Sequence, residues 1–285
     1  MTTKILNGSK IALKILKKLK NKVKLKTQHG KRSPGLAIIL IGNLPESLLY
    51  IKNKKIAGKF AGFLIKCFFF EINVTEFIIL KKIKDLNKDK NIDGILIQLP
   101  IPQHLNYIKI FSSINPTKDI EGFHPYNIGK FYQKSPIFRP CTSKGIITLL
   151  NYYKINIYNL HALIIGDSNT VGKPMLLELL MQNCTTSIVH KNTKNLKNLT
   201  KYADLIIIAI GKPNFLYGTW IKKNSIIIDV GINYINKNTI IGDVHYNSAS
   251  LKTSYITPVP GGVGPMTVVS LLQNTFKAYQ KFQKN

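Results

Sequence analysis

The stretch Ile164-Ile165-Gly166-Asp167-Ser168-Asn169-Thr170-Val171-Gly172 decides the fold of the second half of this chain. Its order of residues predicts a buried strand, a tight glycine turn and the start of a helix. The N–H groups of such a turn and of the helix N-terminus suit a phosphate. Ser168 stands where a dinucleotide-binding G-x-G-x-x-G motif has its middle glycine. An ordinary strand-to-helix turn therefore stays open as the alternative.

Strands and helices alternate on both sides of this stretch. The first half predicts helices over 11–23, 50–60 and 77–86 and strands over 37–41, 64–70 and 94–99. The second half predicts helices over 145–153, 171–182 and 267–281 and strands over 162–165, 187–190, 204–210 and 226–230. Residues 124–143 are rich in proline and are interpreted as a loop at the domain boundary. The alternation predicts an α/β fold with parallel sheets, whose ligands bind beyond the carboxyl ends of the strands.

The segment after the 187–190 strand bears on the choice of cofactor. An NAD site usually ends this strand with an acid that accepts a hydrogen bond from the ribose 2′-hydroxyl. Here Lys191 and Lys194 follow the strand, and a cation there fits the 2′-phosphate of NADP. Asp167 argues against NADP, because its carboxylate would repel that phosphate. The pattern favours NADP, with NAD as the alternative.

Tyr50 and Lys54 form the second informative pattern. They lie four positions apart in a predicted helix, so both side chains share one helix face. The helix follows an apolar run over 36–41 that Gly42 closes, and this run predicts a buried strand. A lysine beside a strand end becomes a catalytic group if burial or a neighbour lowers its pKa. The alternative is a solvated lysine above an aromatic ring.

The composition restricts the classes of function. The chain has 285 residues and a net charge of +28, yet only Arg32 and Arg139 are arginines. Proteins that read bases and phosphates usually rely on arginine. The lysines are also spread along the chain among many asparagine and isoleucine residues. We therefore expect a solvated lysine-rich surface, with no nucleic acid as partner.

The cysteines and the apolar runs indicate the compartment. Cys67, Cys141 and Cys184 are far apart and odd in number, which argues against a disulfide framework or a metal site. Apolar runs such as 205–210 are far shorter than the ~20 residues that cross a bilayer. The N-terminus also lacks the apolar core of a signal peptide. We expect a cytoplasmic protein with no metal and no membrane contact.

Seven longer segments between Tyr50 and Thr267 occur in a fixed order, and they belong to a resemblance that extends from about Ile5 to Lys277. They are Tyr50-Ile-Lys-Asn-Lys54, Asp93-Gly-Ile-Leu-Ile-Gln-Leu-Pro-Ile-Pro102, Lys118-Asp-Ile-Glu-Gly-Phe123, Pro140-Cys-Thr142, Gly166-Asp-Ser-Asn-Thr-Val-Gly172, Asp229-Val-Gly-Ile-Asn233 and Tyr255-Ile-Thr-Pro-Val-Pro-Gly-Gly-Val-Gly-Pro-Met-Thr267. With these segments the chain resembles the bifunctional methylenetetrahydrofolate dehydrogenase/cyclohydrolases of one-carbon metabolism. The last segment is long and specific to that family.

The resemblance implies two α/β domains with a cleft between them. Residues 1–139, joined by a C-terminal helix over 267–285, would form the folate-binding catalytic domain. Residues 140–266 would form a Rossmann-like NADP-binding domain. The resemblance also implies a homodimer that binds tetrahydrofolate derivatives. Its two reactions would be oxidation of 5,10-methylenetetrahydrofolate to the 5,10-methenyl form and hydrolysis of that product to 10-formyltetrahydrofolate.

The resemblance further implies roles for single residues. Lys54 would be the key cyclohydrolase residue, Gln98 would tune its protonation by a hydrogen bond, and Tyr50 would stack against or orient the folate. Glu121 would anchor the pterin. The proposed folate loop comprises Pro260, Gly261, Gly262, Val263 and Gly264, and the proposed NADP site comprises Gly166, Asp167, Ser168, Lys191 and Ile232.

Two positions depart from the family pattern. Glu121 stands where the family has Asp, so the carboxylate sits one methylene further out. Ser143 stands where the family has Pro, a change that we expect to be mild at a first helical turn. Glu121 raises the alternative that only one of the two activities is retained. A more remote alternative is a lysine-rich nucleic-acid-binding protein on an inherited enzyme scaffold.

Overall fold

The computed structural model describes residues 3–236 and 239–282, which fall into two compact units. One unit combines the chain up to Leu13 with Thr142–Thr267. The other combines Lys14–Cys141 with the chain from Val268 onward. The sequence-based division assigned the first 13 residues to the other domain. They join the unit of residues 142–267 because their short strand pairs with its sheet, through the N–H of Lys4 and the carbonyl of Ser254 at 2.9 Å.

The described residues form strands and helices with the following bounds. The strands are β1 (Lys4–Ile5), β2 (Gly35–Ile41), β3 (Leu64–Phe70), β4 (Gly94–Ile97), β5 (His161–Ile165), β6 (Thr185–Val189), β7 (Leu205–Ile208), β8 (Ile226–Asp229), β9 (Asn233–Tyr234), β10 (Ile240–Ile241) and β11 (Tyr255–Ile256). The helices are α1 (Gly8–Gln28), α2 (Pro45–Phe60), α3 (Glu76–Lys88), α4 (Tyr107–Ser112), α5 (Pro125–Tyr132), α6 (Cys141–Tyr152), α7 (Gly172–Met181), α8 (Leu196–Tyr202), α9 (Tyr246–Ser250) and α10 (Val263–Phe282), with a 3₁₀ turn at Gly218–Trp220.

The smaller sheet is parallel, with strand order β3-β2-β4. The central strand β2 is buried along its whole length, and alternate side chains enter two separate hydrophobic clusters. Leu36, Ile38 and Leu40 pack with residues of α1, α2 and α10, whereas Ala37, Ile39 and Ile41 pack with residues of α3 and α4. A strand covered on both faces reads as a continuous apolar run, which is why the sequence predicted it.

The larger sheet has six strands in the order β1-β11-β8-β7-β5-β6, and every neighbouring pair is parallel. β9 and β10 form a separate antiparallel pair. Because all six strands point the same way, their carboxyl ends lie on one edge of the sheet and their amino ends on the opposite edge. The predicted α/β class with parallel sheets is therefore confirmed.

The predicted loop over 124–143 was wrong at both ends, because α5 forms near its start and α6 begins at Cys141. Pro125 occupies the first helical turn, where its missing N–H costs nothing. His124 precedes it, and its Nδ1 accepts a hydrogen bond from the N–H of Tyr126 at 3.0 Å. The last three residues of the predicted 267–285 helix lie outside the described part of the chain, and the helix begins earlier than predicted, at Val263.

Candidate active site

Lys54 lies on the buried face of α2. Ile51, Lys54 and Gly58 are buried and recur every three to four residues, so they form the inward face of the helix. The Lys54 side chain is only 7% exposed. Burial lowers the pKa of Lys54, and the nearby carboxylate of Glu121 opposes this shift. Lys54 therefore has a larger neutral fraction near neutral pH than a solvated lysine.

Gln98 holds the Lys54 amine. Lys54 Nζ donates to Gln98 Oε1 at 2.9 Å, and Gln98 Nε2 donates to the carbonyl of Leu99 at 2.9 Å. The second bond fixes the amide so that its oxygen faces the lysine. Gln98 directly follows β4, and its N–H donates to the carbonyl of Ile39 on β2 at 2.8 Å. The pair thus sits at the carboxyl edge of the smaller sheet, where ligands bind in this class of fold.

Glu121, a half-buried residue, brings its carboxyl group to the same site. Burial raises the pKa of Glu121 to about 7, with the Lys54 charge acting against this shift and the Asp119 charge acting with it. The mutual influence of Lys54 and Glu121 shows that the two groups lie close enough for their charges to interact. The structure therefore brings together three of the four predicted catalytic side chains.

The loop that carries Glu121 is fixed by Asp119. The Asp119 carboxylate accepts hydrogen bonds from the N–H groups of Phe123 and His124 and from Asn127 Nδ2, the last at 2.7 Å. Ile95 and Asp119 pair as a parallel bridge beside β4. These bonds hold Glu121 in place from a loop rather than from a helix or strand.

The fourth predicted side chain, Tyr50, is half-buried on α2, one turn before Lys54. Sequence reasoning did not find Tyr107, whose ring stacks on Phe111 with 4.3 Å between centroids. Burial, with the charges of Glu121 and Asp119, raises the pKa of Tyr107 to about 12. Tyr107 also lines a mainly apolar cavity of about 590 Å³ whose other walls come from residues 99–105. This cavity adjoins Gln98 in the chain and is wide enough for a ring of a substrate.

The glycine turn after β5 has the close packing that a dinucleotide site requires. Gly166 has a φ of +115°, and a Cβ atom there would stand 2.4 Å from the carbonyl oxygen of Ala209. A Cβ atom on Gly172 would stand 1.9 Å from the carbonyl oxygen of Gly166. Only glycine fits at either position, so the helix start lies directly against the strand end. The arrangement fits the phosphates of a bound dinucleotide.

Ser168 occupies the position where a G-x-G-x-x-G motif has its middle glycine, and its side chain bonds the turn. Its Oγ accepts hydrogen bonds from the N–H groups of Val171 at 3.2 Å and Gly172 at 3.4 Å. The serine hydroxyl therefore bonds the first N–H group of α7 from within the turn that precedes the helix. Asp167 precedes it and is exposed, as are Lys191 and Lys194 after β6. All four residues follow carboxyl ends of neighbouring strands of the larger sheet.

The predicted folate loop packs against the N-terminal start of α1. The N–H of Ser9 donates to the carbonyl of Gly261 at 2.9 Å, and a Cβ atom on Gly8 would stand 1.8 Å from the carbonyl oxygen of Gly262. A Cβ atom on Gly264 would stand 3.8 Å from the side chain of Ile232. The structure thus places Gly264 of the loop beside Ile232, a predicted cofactor residue. Gly8 supports the loop from below its backbone and was not found from the sequence.

Three further findings concern metal ligands, membrane-spanning helices and the cysteines. Among the described residues, no group of histidine, cysteine, aspartate or glutamate side chains is arranged to hold a metal ion. None of the described helices combines the length and apolar character needed to span a bilayer. Cys67, Cys141 and Cys184 are all free thiols.

Two family models match the chain. Residues 6–121 match the catalytic domain of tetrahydrofolate dehydrogenase/cyclohydrolase, and residues 140–283 match the NAD(P)-binding domain of the same enzyme. Together the two models account for most of the sequence.

Individual relatives match over nearly the full length. The chain is 59% identical over 281 residues to the bifunctional protein FolD of Buchnera aphidicola subsp. Cinara cedri (strain Cc), covering 98% of this chain and 99% of that protein. The crystal structure of the bifunctional enzyme FolD from Campylobacter jejuni is 41% identical, with a TM-score of 0.94 and coverage of 98% and 99%. The Trypanosoma brucei enzyme, solved in complex with NADP and an inhibitor, is 29% identical, with a TM-score of 0.96 and coverage of 100% of both chains.

Proposed function

Because the chain belongs to the tetrahydrofolate dehydrogenase/cyclohydrolase family, we propose that Lys54, Gln98 and Glu121 form the catalytic centre of a bifunctional one-carbon enzyme. The enzyme oxidises 5,10-methylenetetrahydrofolate with NADP and hydrolyses the resulting 5,10-methenyltetrahydrofolate to 10-formyltetrahydrofolate. The hydrogen bond from Lys54 to Gln98 inside a buried site is the observation that carries this proposal.

The oxidation step asks the protein mainly for positioning. NADP, when bound, supplies the hydride acceptor. The folate nitrogens stabilise the cation that remains after hydride loss, so the protein need not provide a catalytic metal. The glycine turn at Gly166 would hold the cofactor phosphates, with Asp167, Ser168 and Ile232 beside them. Lys191 would meet the 2′-phosphate, which supports NADP over NAD.

The hydrolysis step needs a group that passes a proton as the folate ring opens. Burial lowers the pKa of Lys54, so its neutral amine is available to accept a proton from water at the methenyl carbon. The cationic substrate would lower this pKa further, because like charges disfavour each other. Gln98 Oε1 orients the amine. The released proton can then pass from Lys54 to the leaving nitrogen of the ring.

Three groups of residues would bind the folate. Glu121 would anchor the pterin through N–H donors of its ring, and Tyr50 would stack on or orient the substrate. The apolar cavity beside Gln98 and Tyr107 would take a further ring of the substrate. The Pro260–Gly264 loop would run along the folate.

The decisive test is Lys54→Met. The change removes the amine but keeps an unbranched chain of similar length. We expect methenyl hydrolysis to fall by about 10²-fold or more, as for loss of a general acid–base group, with much of the hydride transfer retained. A coupled assay that follows NADPH formation and loss of methenyltetrahydrofolate in one sample measures both. A hydrolysis rate equal to that of the unchanged enzyme would contradict the role of Lys54.

The same assay tests the alternative that one activity has been lost. The feature behind that alternative is the longer side chain at Glu121. An enzyme that forms NADPH but accumulates methenyltetrahydrofolate would be a dehydrogenase only, and the reverse pattern would identify a cyclohydrolase only.

We also propose a cytoplasmic homodimer whose product serves purine biosynthesis. The three free thiols suit a reducing compartment. Among the described residues, β6 is an outer strand of the larger sheet and pairs with β5 on one side only, so its other edge is available to a second copy. Light scattering coupled to gel filtration measures the oligomeric state, and a monomer at micromolar concentration would refute the dimer.

A further inference from the structure

Two buried aspartates lie at the carboxyl edge of the larger sheet. Asp229 is the last residue of β8, and Asp243 follows β10; they are 3% and 0% exposed. Removing a carboxylate from water costs free energy unless hydrogen-bond donors surround it. The donors around these two carboxylates therefore show what the aspartates hold in place at the edge where NADP is proposed to bind.

Asp243 holds the turn that follows β7. Its carboxylate accepts hydrogen bonds from the three consecutive N–H groups of residues 210–212, at 2.7, 3.0 and 2.9 Å. This turn adjoins the glycine turn, because a Cβ atom on Gly166 would stand 2.4 Å from the carbonyl oxygen of Ala209. Asp243 therefore fixes the backbone beside the proposed phosphate site.

The two aspartates also hold the backbone on both sides of Ile232, a proposed cofactor residue. The N–H of Gly231 donates to Asp229 Oδ1 at 2.9 Å, and Asn233 Nδ2 donates to Asp243 Oδ1 at 2.9 Å. A Cβ atom on Gly231 would stand 2.2 Å from Asp243 Cγ, so this segment lies directly against the second carboxylate. Ile232 is thus placed between two residues that buried carboxylates bind.

Asp229 holds Asp243 in turn. Asp229 Oδ1 accepts the N–H of Asp243 at 3.0 Å, and Asp229 Oδ2 accepts the N–H of Val244 at 2.9 Å. The N–H of Asp229 itself donates to Thr257 Oγ1 at 2.7 Å. Hydrogen bonds to an ionised acceptor are roughly twice as strong as bonds between neutral groups. The two side chains therefore connect the end of β8 to the turn after β7 through a continuous series of hydrogen bonds.

We propose that Asp243 is a positioning residue for NADP in the oxidation step, with Asp229 holding Asp243 in place. Asp243 acts through the backbone: it keeps the 210–212 turn and Ile232 in the arrangement that accepts the cofactor. A preformed site loses less conformational freedom when its ligand binds, so the affinity is higher. This inference rests on the proposed function.

Asp243→Asn tests the proposal in the full chain. The amide keeps the shape of the carboxylate, but its NH2 group cannot accept the N–H groups that one carboxylate oxygen binds. We expect the Kd for NADP, measured by calorimetric titration, to rise about tenfold or more. The KM for NADP should rise with it. The kcat of methenyl hydrolysis, assayed with added methenyltetrahydrofolate and without NADP, should be retained, because Lys54, Gln98 and Glu121 lie in the other unit. A merely structural role would lower both reactions alike.

Asp204→Asn is the matched control. Asp204 belongs to the same unit and accepts the N–H of His161 at 3.0 Å, but it precedes β7 and so lies at the opposite edge of the larger sheet. This variant should bind NADP as the unchanged protein does.

Asn233→Ala is a milder second variant, because it removes one donor to Asp243 and leaves the buried carboxylate in place. NADP affinity should fall several-fold. If Asp243→Asn does not fold, unchanged affinity in Asn233→Ala overturns the proposal.

Three further results would overturn it: an Asp243→Asn variant that binds NADP as tightly as the unchanged protein, an equal loss of affinity in Asp204→Asn, or an equal loss of oxidation and hydrolysis in Asp243→Asn. An unchanged protein that binds no NADP would refute the proposed function, and this inference with it. Normal NADP binding in the unchanged protein together with any of the other results would refute this inference alone.

Discussion

Glu121 carries one methylene more than the aspartate of the family pattern. Variants at this position test whether the pterin-anchoring role of that aspartate applies to Glu121. A carboxylate accepts two N–H bonds where an amide accepts through one oxygen only. We expect Glu121→Gln to lose most of both activities and Glu121→Asp to keep or raise them. Steady-state kinetics with methylenetetrahydrofolate measure the effect. A fully active Glu121→Gln would remove position 121 from the pterin site, and an inactive Glu121→Asp would mean a site rebuilt around the longer side chain.

The protonation of Glu121 also predicts a pH dependence of stability. Burial raises the pKa of this carboxyl from 4.5 to about 7, so the folded state holds more protons than the unfolded state between these values. Stability from this group is therefore greatest below pH 4.5 and is lost as the pH rises to about 7. Glu121→Gln cannot ionise, so its unfolding temperature relative to the unchanged enzyme should rise from pH 5 to pH 8. Thermal unfolding at both values measures this, and a constant difference would contradict the raised pKa.

Lys191 tests the cofactor preference. The exposed ammonium follows β6, where an enzyme specific for NAD often carries an acid. Lys191→Glu should weaken NADP, by repulsion of the 2′-phosphate, more than it weakens NAD. The ratio of kcat/KM for the two cofactors measures the change. A preference for NAD in the unchanged protein would instead make Asp167 the stronger influence.

Single residues of the site differed in how well the sequence predicted them. The helical spacing of Tyr50 and Lys54 depends on neighbours in the chain, so the sequence placed both on one face of α2. Gln98 follows a strongly apolar strand, so its position at the end of that strand could be predicted from the sequence as well. Tyr107 lies on the short helix α4, and its proximity to Glu121 arises only when the chain folds back. No local pattern encodes such a contact.

Among the elements, two glycines differ in whether the backbone around them requires a residue without a Cβ atom. Gly129 lies within α5, and a Cβ atom there would meet nothing within 4 Å. Gly129→Ala should raise the free energy of unfolding by about 0.5–1 kcal/mol, because glycine costs that much inside a helix. Gly166→Ala should instead destabilise by about 1–3 kcal/mol and weaken NADP binding, because of its φ of +115° and the nearby Ala209 carbonyl. Urea unfolding measures both, and equal signs would contradict the argument.

The longer elements followed from apolar periodicity, and the short ones did not. The predicted 64–70 strand matches β3 at both ends, because its apolar run is bounded by turn residues. β1 and β11 have two residues each and are defined by pairing with each other and with β8. α5 was missed because Pro125 and Gly129 indicate a loop unless the first-turn position of the proline is recognised.

At the scale of the whole molecule, α10 completes a core built from distant parts of the chain. Leu271, Leu272, Phe276 and Tyr279 pack with Leu36 and Ile38 of the smaller sheet. Leu272 is fully buried, so Leu272→Ala should cost about 2–5 kcal/mol. Leu251, which is 86% exposed, supplies the control, since Leu251→Ala should change stability by less than about 0.5 kcal/mol. Denaturant unfolding measures both variants, and a similar loss in each would exclude this role for α10.

The position of α10 in the chain also has a consequence for biosynthesis. Because α10 follows the 142–267 segment in the chain, the hydrophobic cluster around Leu36 and Ile38 lacks one of its walls until the ribosome has made that segment and α10. The nascent polypeptide must therefore keep this apolar surface exposed while the 142–267 segment is being synthesised. Such an intermediate is a natural client for a chaperone, and a ribosome stalled before α10 should display a protease-sensitive N-terminal half.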